Sequence, residues 1–332
     1  MSESGDFTPA HWGGGGHDFK SAYKAYDAHA GRSYDTAKKA GKKLGDLLPK
    51  KLSTMSSAPL VIVTDETGSM GEWPKVMFSK LPYLELEARE YLGQDMEISW
   101  CAFGDAPNGE DYPVQARPFT SGTDLKPKLM ELVIEGNGGG QMRESSELIA
   151  LYLANNVEMP NAIKPICILT TDEMPWENVS PDMAKEFAFV AIEKRMSAKE
   201  IFDALSRKFS VYVILKPYNV GAGDSDATNK AVYNTWVDIL GADRVAALPD
   251  PNRVVDVIFG ILAKETGRIG YFREEIEQRQ LDDKDGKAKV ETVYKSLKTV
   301  HALPKPGDAG EPASGHSKTR GLGGGKPTKS LL

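Results

Sequence analysis

The chain has 332 residues, which is enough for one large domain plus extensions or for two small domains. Of these residues 40% are hydrophobic and 27% charged, a composition typical of a soluble globular protein. Its net charge of −6 argues against general nucleic-acid binding, which needs a basic surface to displace the counterions around phosphates. No apolar run approaches the roughly 20 residues that span a bilayer, so we expect no membrane segment.

Residues 1–55 are predicted to form an N-terminal extension with a basic helical arm. The first residues, MSESGDF, are acidic and contain no apolar signal segment, so we expect a cytoplasmic protein. Residues 17–51 are rich in Ala and Lys and carry aromatic residues at helical spacing, beginning with Phe19. We interpret this stretch as a helix that packs its aromatic side on the main domain. The alternative is a basic contact surface for nucleic acid or an acidic protein, although several Asp residues interrupt the positive charge.

Residues 56–268 alternate between strand and helix patterns, which predicts an α/β fold: a doubly wound, Rossmann-like, mostly parallel sheet with helices on both faces. The apolar run LVIV at 60–63 is typical of a buried parallel strand. Pro118 predicts an edge strand at 114–119, because proline cannot donate to a strand ladder. The other predicted strands are 97–103, 165–173, 211–216 and 244–248. The predicted helices are 74–91, 123–136, 145–157, 197–209, 227–240 and 251–265.

The C-terminal part of the chain is polar. Residues 269–302 are predicted to form a small charged appendage, helical or hairpin-like, and residues 303–332, rich in Gly, Pro and Lys, a disordered tail. The segment DDKDG does not fit a calcium loop, since Leu281 and Thr292 would occupy its first and twelfth positions. The segment GLGGGKPT does not fit a phosphate loop, since no strand precedes it and proline follows its lysine.

The most informative stretch is LVIVTDETGSM at 60–70. Asp65 lies at the carboxyl end of the first predicted strand, where open α/β sheets bind ligands. Thr67 and Ser69 follow at alternate positions, so one loop can direct all three side chains to one point. A carboxylate with two hydroxyls is a hard oxygen donor set, which suits Mg²⁺ or Mn²⁺. Two alternatives remain: the hydroxyls cap the next helix, or the site is degenerate and holds no metal.

This D-x-T-x-S sequence resembles the metal-ion-dependent adhesion site of von Willebrand factor A domains, and the resemblance extends over about residues 56–268. The first three ligands of that family match Asp65, Thr67 and Ser69. Its fifth ligand, an Asp at the end of a later strand, matches Asp172 in the sequence ILTTDE. The resemblance therefore implies a divalent metal held between two loops at the carboxyl end of the sheet.

The fourth ligand of the family is usually a Thr in a Gly-rich loop that opens a helix, and the corresponding loop here, GNGGGQMRESSELIAL, contains none. Glu144 takes this position by resemblance to integrin β-type domains, with Gln141 as a second candidate. Glu173 is interpreted as a further ligand, a support for the ligands, or a solvated residue. Trp73 and Trp176 follow the two site loops and are candidates for the rim of a partner-binding surface, with core packing as the alternative for Trp73.

The resemblance implies a non-enzymatic protein-binding module. In such a module the metal keeps an open coordination position, which an Asp or Glu of a partner protein fills. The chain also resembles stand-alone intracellular A-domain proteins of bacteria and their phages, and family analogy makes an AAA+ ATPase a reasonable partner. Nucleic acid is not expected as a partner, except through the basic N-terminal arm.

Two other functions remain open. DETGS also resembles the D-K-T-G-T segment of haloacid-dehalogenase-like phosphotransferases, in which Asp65 would be the nucleophile beside Mg²⁺. Asp172 and Glu173 would then be the further acidic pair, and Lys164 or Lys216 the lysine. The third hypothesis is a structural component of a phage or cellular assembly, whose terminal arms wrap a neighbour.

Overall fold

A mostly parallel β-sheet forms the centre of the fold. The computed structural model describes residues 33–70, 73–136, 142–217, 225–280 and 284–301. Within these ranges the central sheet has six strands: β1 (Pro59–Asp65), β2 (Glu97–Phe103), β3 (Val114–Ala116), β4 (Ile166–Thr171), β5 (Ser210–Leu215) and β6 (Val245–Ala247). All the predicted strands are therefore present.

The strand order is β6-β5-β4-β1-β2-β3, and β3 runs antiparallel to β2 while the other pairs are parallel. From β1 the chain passes to β2 on one side, and it later returns to β4 on the other side of β1. The loops that follow β1 and β4 therefore diverge at a switch in strand order, which is where α/β sheets form ligand crevices. The predicted edge strand is confirmed as β3, shorter than its sequence pattern.

Helices cover both faces of the sheet. They are α1 (Trp73–Leu92), α2 (Leu125–Met130), α3 (Ser146–Asn156), α4 (Pro181–Phe187), α5 (Ala198–Ser206), α6 (Ser225–Leu240), α7 (Val254–Thr266), α8 (Ile269–Arg279) and α9 (Gly286–Ser296). Leu60 and Ile62 of β1 pack in one core with α1, α2 and α7, whereas Val61 and Val63 pack in a second core with α3, α5 and α6. This alternation confirms a mixed α/β fold with a buried, mostly parallel sheet.

The helix predicted over 123–136 is wrong in its length, because α2 ends at Met130. The residues after it bond to side chains instead of continuing the helix. The Gln115 amide donates to the Val133 carbonyl (2.7 Å) and accepts from the Val133 N–H (2.9 Å), and the Ser33 hydroxyl accepts from the Ile134 N–H (2.9 Å). Val133 and Ile134 are β-branched and have a low helix propensity, so leaving the helix costs them little free energy.

The described part of the N-terminal extension packs against the edge of the sheet. Residues 33–39 are helical, and a short helix follows at Leu44–Leu47. Leu47 and Leu48 are buried, and Arg117, next to β3, donates to the Leu47 carbonyl. The remainder of the predicted helical arm, up to residue 32, lies outside the described residues.

The segment 269–302, predicted as an appendage, contains α8 and α9 in its described part. Phe272 and Ile276 of α8 are buried in the core shared with α7. Gly260 of α7 allows α9 to approach closely, since a Cβ there would lie 2.2 Å from the Leu297 side chain. The predicted disordered tail at 303–332 lies outside the described residues. Among the described helices, none is both long and apolar enough to cross a bilayer.

Three two-residue strand pairs lie outside the central sheet in the described ranges. They are Leu52–Ser53 with Val157–Glu158, Arg143–Glu144 with Met174–Pro175, and Asn178–Val179 with Met196–Ser197.

Candidate metal-binding site

The loop after β1 forms a hydrogen-bonded group around Asp65, which is fully buried. The Thr67 N–H and the Thr67 hydroxyl both donate to Asp65 Oδ1, at 3.0 and 2.6 Å. The Thr67 hydroxyl lies 3.1 Å from the hydroxyl of Ser69, which belongs to a 3₁₀ turn over Gly68–Met70. The three side chains therefore converge on one point, as the alternate spacing predicted.

The loop after β4 meets the loop after β1 at this point. The Ser69 hydroxyl donates to Asp172 Oδ1 at 2.8 Å, and the Thr171 hydroxyl donates to Asp65 Oδ2 at 2.8 Å. Thr171 is a site residue that sequence reasoning missed, although its hydroxyl directly precedes the predicted aspartate in ILTTDE. The Thr67 hydroxyl donates to Asp65, the Ser69 hydroxyl donates to Asp172, and the two hydroxyl oxygens are in contact, so this series of contacts joins the two loops across the switch in strand order.

Glu144 lies on a third loop, which is bonded to the segment after β4 and to the segment after β2. The pair Arg143–Glu144 is parallel to Met174–Pro175, and the Ser145 N–H donates to the Gly104 carbonyl at 2.9 Å. The Glu144 carboxyl lies against the Asp65 carboxyl and the Thr67 hydroxyl. Glu144 Oε2 is buried without a hydrogen-bond partner among the described residues. The other candidate for this position, Gln141, lies outside the described residues.

Lys216 brings a cation to the site from a fourth segment. It follows β5 directly, and its ammonium donates to Asp172 Oδ2 at 2.9 Å and to the Ser69 carbonyl at 2.6 Å. The sequence suggests Lys216 as a site residue only in the phosphotransferase alternative. The other lysine considered there, Lys164, precedes β4 at the opposite end of the sheet and bonds to the Glu265 carbonyl, so its assignment to the site is wrong.

Four carboxyl side chains are buried together here, those of Asp65, Glu144, Asp172 and Glu173. Burial in the protein interior raises the pKa of Asp65, and the negative charge of Asp172 raises it further. Burial and the neighbouring Asp65 raise the pKa of Glu144. Burial is also the main reason that the pKa of Glu173 is raised to about 8. Burial and mutual repulsion therefore disfavour the ionised forms of Asp65, Glu144 and Glu173. Lys216 brings one positive charge to the group, through its ion pair with Asp172.

Two of the remaining predicted residues, Glu173 and Trp176, bond to residues around this group. The Glu173 carbonyl accepts from the Trp236 indole N–H at 2.9 Å. Trp176 is half-buried, and its indole N–H donates to Asp105 Oδ1 at 3.1 Å. The backbone N–H of Trp176 donates to Glu147 at 3.1 Å. Trp73 begins α1, and its side chain lies outside the described residues.

The donor atoms fit a hard divalent cation only if hydroxyl oxygens take part. Among the described residues, no group of three or more His, Cys, Asp or Glu side chains is placed to hold a metal ion. The oxygens that do converge come from Asp65, Thr67, Ser69, Asp172 and Glu144. Carboxylate and hydroxyl oxygens are the ligands that Mg²⁺ and Mn²⁺ prefer, and the buried, unpartnered Glu144 Oε2 is an acceptor that such an ion would satisfy.

No family model matches the chain, and no curated protein matches it. Solved structures to which this chain is similar include two of the pilus adhesin SpaC from Lactobacillus rhamnosus GG, one in an open conformation. They are 11% and 12% identical, with TM-scores of 0.44 and 0.43, over 68% of this chain. The aligned part spans 31% and 32% of the adhesin chain. Proximal thread matrix protein 1 from the mussel byssus is 11% identical, with a TM-score of 0.39, over 62% of this chain and 47% of its own. At these scores the similarities assign no fold family.

Glu147 provides a prediction of pH dependence. It is fully buried, and burial raises its pKa from 4.5 to about 8. The folded protein therefore keeps a proton that the unfolded chain releases, so this contribution to stability is complete below pH 4.5 and is lost as the pH rises toward 8. The loss is at most about 1.4 kcal/mol per pH unit. Glu147→Gln should flatten the decline in the free energy of unfolding between pH 5 and 8.

Urea denaturation at several pH values measures this decline. Glu186→Gln, at an exposed glutamate of α4, is the matched control and should follow the wild type. Burial also raises the pKa values of Glu87 and Glu110 to about 7. These two glutamates therefore contribute to the decline of stability with rising pH in every variant, including Glu147→Gln. Identical slopes for wild type and Glu147→Gln would contradict the prediction.

Proposed function

We propose that this chain is a protein-binding module of the von Willebrand factor A type, with a metal-ion-dependent adhesion site that takes Mg²⁺ or Mn²⁺ and captures an acidic residue of a partner protein. The observation that carries the proposal is the series of contacts from Asp65 through the Thr67 and Ser69 hydroxyls to Asp172, which brings both halves of the predicted motif together in space. The order of strands and the position of the site at its switch point support the same fold family.

In this proposal, Asp65, Thr67, Ser69, Asp172 and Glu144 hold the ion. A bound divalent ion supplies an electrophilic centre for the partner's carboxylate. Thr67 and Thr171 fix both carboxylate oxygens of Asp65, so its position is set before any ligand arrives. The hydrogen bond from Ser69 to Asp172 fixes the distance between the loop after β1 and the loop after β4. Glu144 takes the place of the missing threonine and is a carboxylate rather than a hydroxyl.

Metal-dependent thermal unfolding tests the site. Wild type in millimolar Mg²⁺ or Mn²⁺ should melt at a higher temperature than in EDTA, because a ligand at about 100 times its Kd stabilises by about 2.7 kcal/mol. Asp65→Asn should abolish this rise. Asp238→Asn, at an exposed aspartate of α6, is the matched control and should keep it. A wild-type melting temperature that is the same in both metals and in EDTA would overturn the proposal.

The partner is tested on the same variants. A candidate partner is a protein that the immobilised wild type retains in Mg²⁺ and releases in EDTA, and that immobilised Asp65→Asn does not retain. Replacing one Asp or Glu of that protein should abolish its capture. An AAA+ ATPase is the first candidate to test, by family analogy. Retention that is unaffected by EDTA would separate partner binding from the metal.

The ion pair between Lys216 and Asp172 favours a second candidate function, a haloacid-dehalogenase-like phosphotransferase, since that chemistry also needs a lysine beside the acidic pair. Asp65 fits a nucleophile less well, because it is fully buried and both of its carboxylate oxygens accept hydrogen bonds. Release of phosphate from p-nitrophenyl phosphate by wild type, abolished in Asp65→Asn, would favour the enzyme.

A further inference from the structure

We propose that Lys216 is the internal cation of this site and that a divalent ion must displace its ammonium. Lys216 would thereby set how tightly the site binds metal. The inference rests on the proposed function, because it concerns the same metal site, and it assigns to one residue the control of that site.

The position of Lys216 is the first argument. Its backbone N–H donates to the Thr171 carbonyl at 2.9 Å, which fixes the residue beside the end of β4. From there the side chain reaches past β4 and bonds to both Asp172 and the Ser69 carbonyl. The ammonium thus joins the same two loops that a metal held by Ser69 and Asp172 would join.

Charge is the second argument. The ammonium is 2.9 Å from Asp172 Oδ2, and its charge also acts on the neighbouring Glu173 carboxyl, so it neutralises part of the negative charge there. A divalent ion on Asp172 would bring two further positive charges to within a few ångströms of the ammonium. Like charges at such distances repel strongly in a partly buried site. The ammonium and the metal therefore compete for Asp172.

Exposure is the third argument. The Lys216 side chain is 22% exposed, whereas Asp172 is 1% exposed, so the lysine can move into water while the carboxylate stays. A lysine side chain has a long flexible stem and a strongly hydrated ammonium. Movement of the ammonium away from Asp172 requires no change in β5, since the backbone of Lys216 is held separately through Thr171.

Calorimetric titration of Mg²⁺ and of Mn²⁺ into metal-free protein tests the proposal. Lys216→Met removes the charge and keeps much of the stem, and it should bind at least about tenfold more tightly than the wild type. It should also melt at a lower temperature than the wild type in EDTA, where the carboxyl groups have lost their counter-charge. Lys216→Arg keeps the charge and should stay near wild-type affinity. Lys164→Met, at the other end of the sheet, is the matched control and should bind as the wild type does.

Amine-reactive labelling of the wild type gives a second readout that needs no variant. Mg²⁺ should increase the modification of Lys216 and leave that of Lys164 unchanged. If the wild type binds metal but Lys216→Met binds equally or more weakly, Lys216 positions Asp172 instead of competing, and the inference is wrong while the proposed function stands. If neither protein binds metal in the titration, both the proposed function and the inference are overturned.

Discussion

Replacing Trp236 with Ala should lower the free energy of unfolding by about 3–5 kcal/mol, the range for removing a large aromatic side chain from a core. Trp236 lies on α6 and is fully buried. Its ring meets that of Phe202 edge-on, with centroids 5.1 Å apart and planes at 82°. Its indole N–H donates to the Glu173 carbonyl, so the substitution removes both packing and a buried hydrogen bond next to Asp172.

Urea denaturation measures this effect, and Trp236→Phe separates the two contributions. Phenylalanine keeps most of the packing but leaves the Glu173 carbonyl without its donor, which should lower stability by about 1–3 kcal/mol. The Phe variant should therefore lie between wild type and Trp236→Ala. A loss of under about 1 kcal/mol for the Ala variant would show that α6 is not packed on the sheet through this residue.

Arg117→Met should lower the free energy of unfolding by about 3 kcal/mol. Arg117 is buried, and its guanidinium donates to the carbonyls of Leu47, Ala116 (2.9 Å) and Glu131 (2.8 Å). Methionine fills a similar volume but cannot donate, so buried acceptors lose their partner at about 1–3 kcal/mol each. The removal of a desolvated charge offsets part of this loss.

Two measurements check the Arg117 prediction. Urea denaturation gives the overall loss, and limited proteolysis should show faster cleavage near Leu47, because the guanidinium attaches that segment to the sheet. Arg207→Met, at an exposed arginine, is the matched control and should change neither result. Unchanged proteolysis together with full stability in Arg117→Met would mean that other contacts hold the segment.

The local patterns of the sequence predicted most of the sheet and most of the site. The apolar run ending at Asp65 predicted β1, and Asp172 was found because it ends a second such run. Lys216 was a candidate beside Asp172 only in the phosphotransferase alternative, together with Lys164, because the reach of a lysine across a neighbouring strand leaves no local pattern that distinguishes the two. The end of α2 was missed for a similar reason, since the competing partner of Val133 is the side chain of Gln115, 18 residues away along the chain.

The pairing of Gln115 with Val133 also determines how β3 ends the sheet. All three residues of β3 are buried, and the Gln115 amide bonds to both backbone groups of Val133, much as the peptide group of a neighbouring strand would. An unprotected edge strand can serve as a template for strands of other chains, which leads to aggregation. At β3 a side chain and a non-helical segment cover the edge, so the sheet is protected there against intermolecular extension.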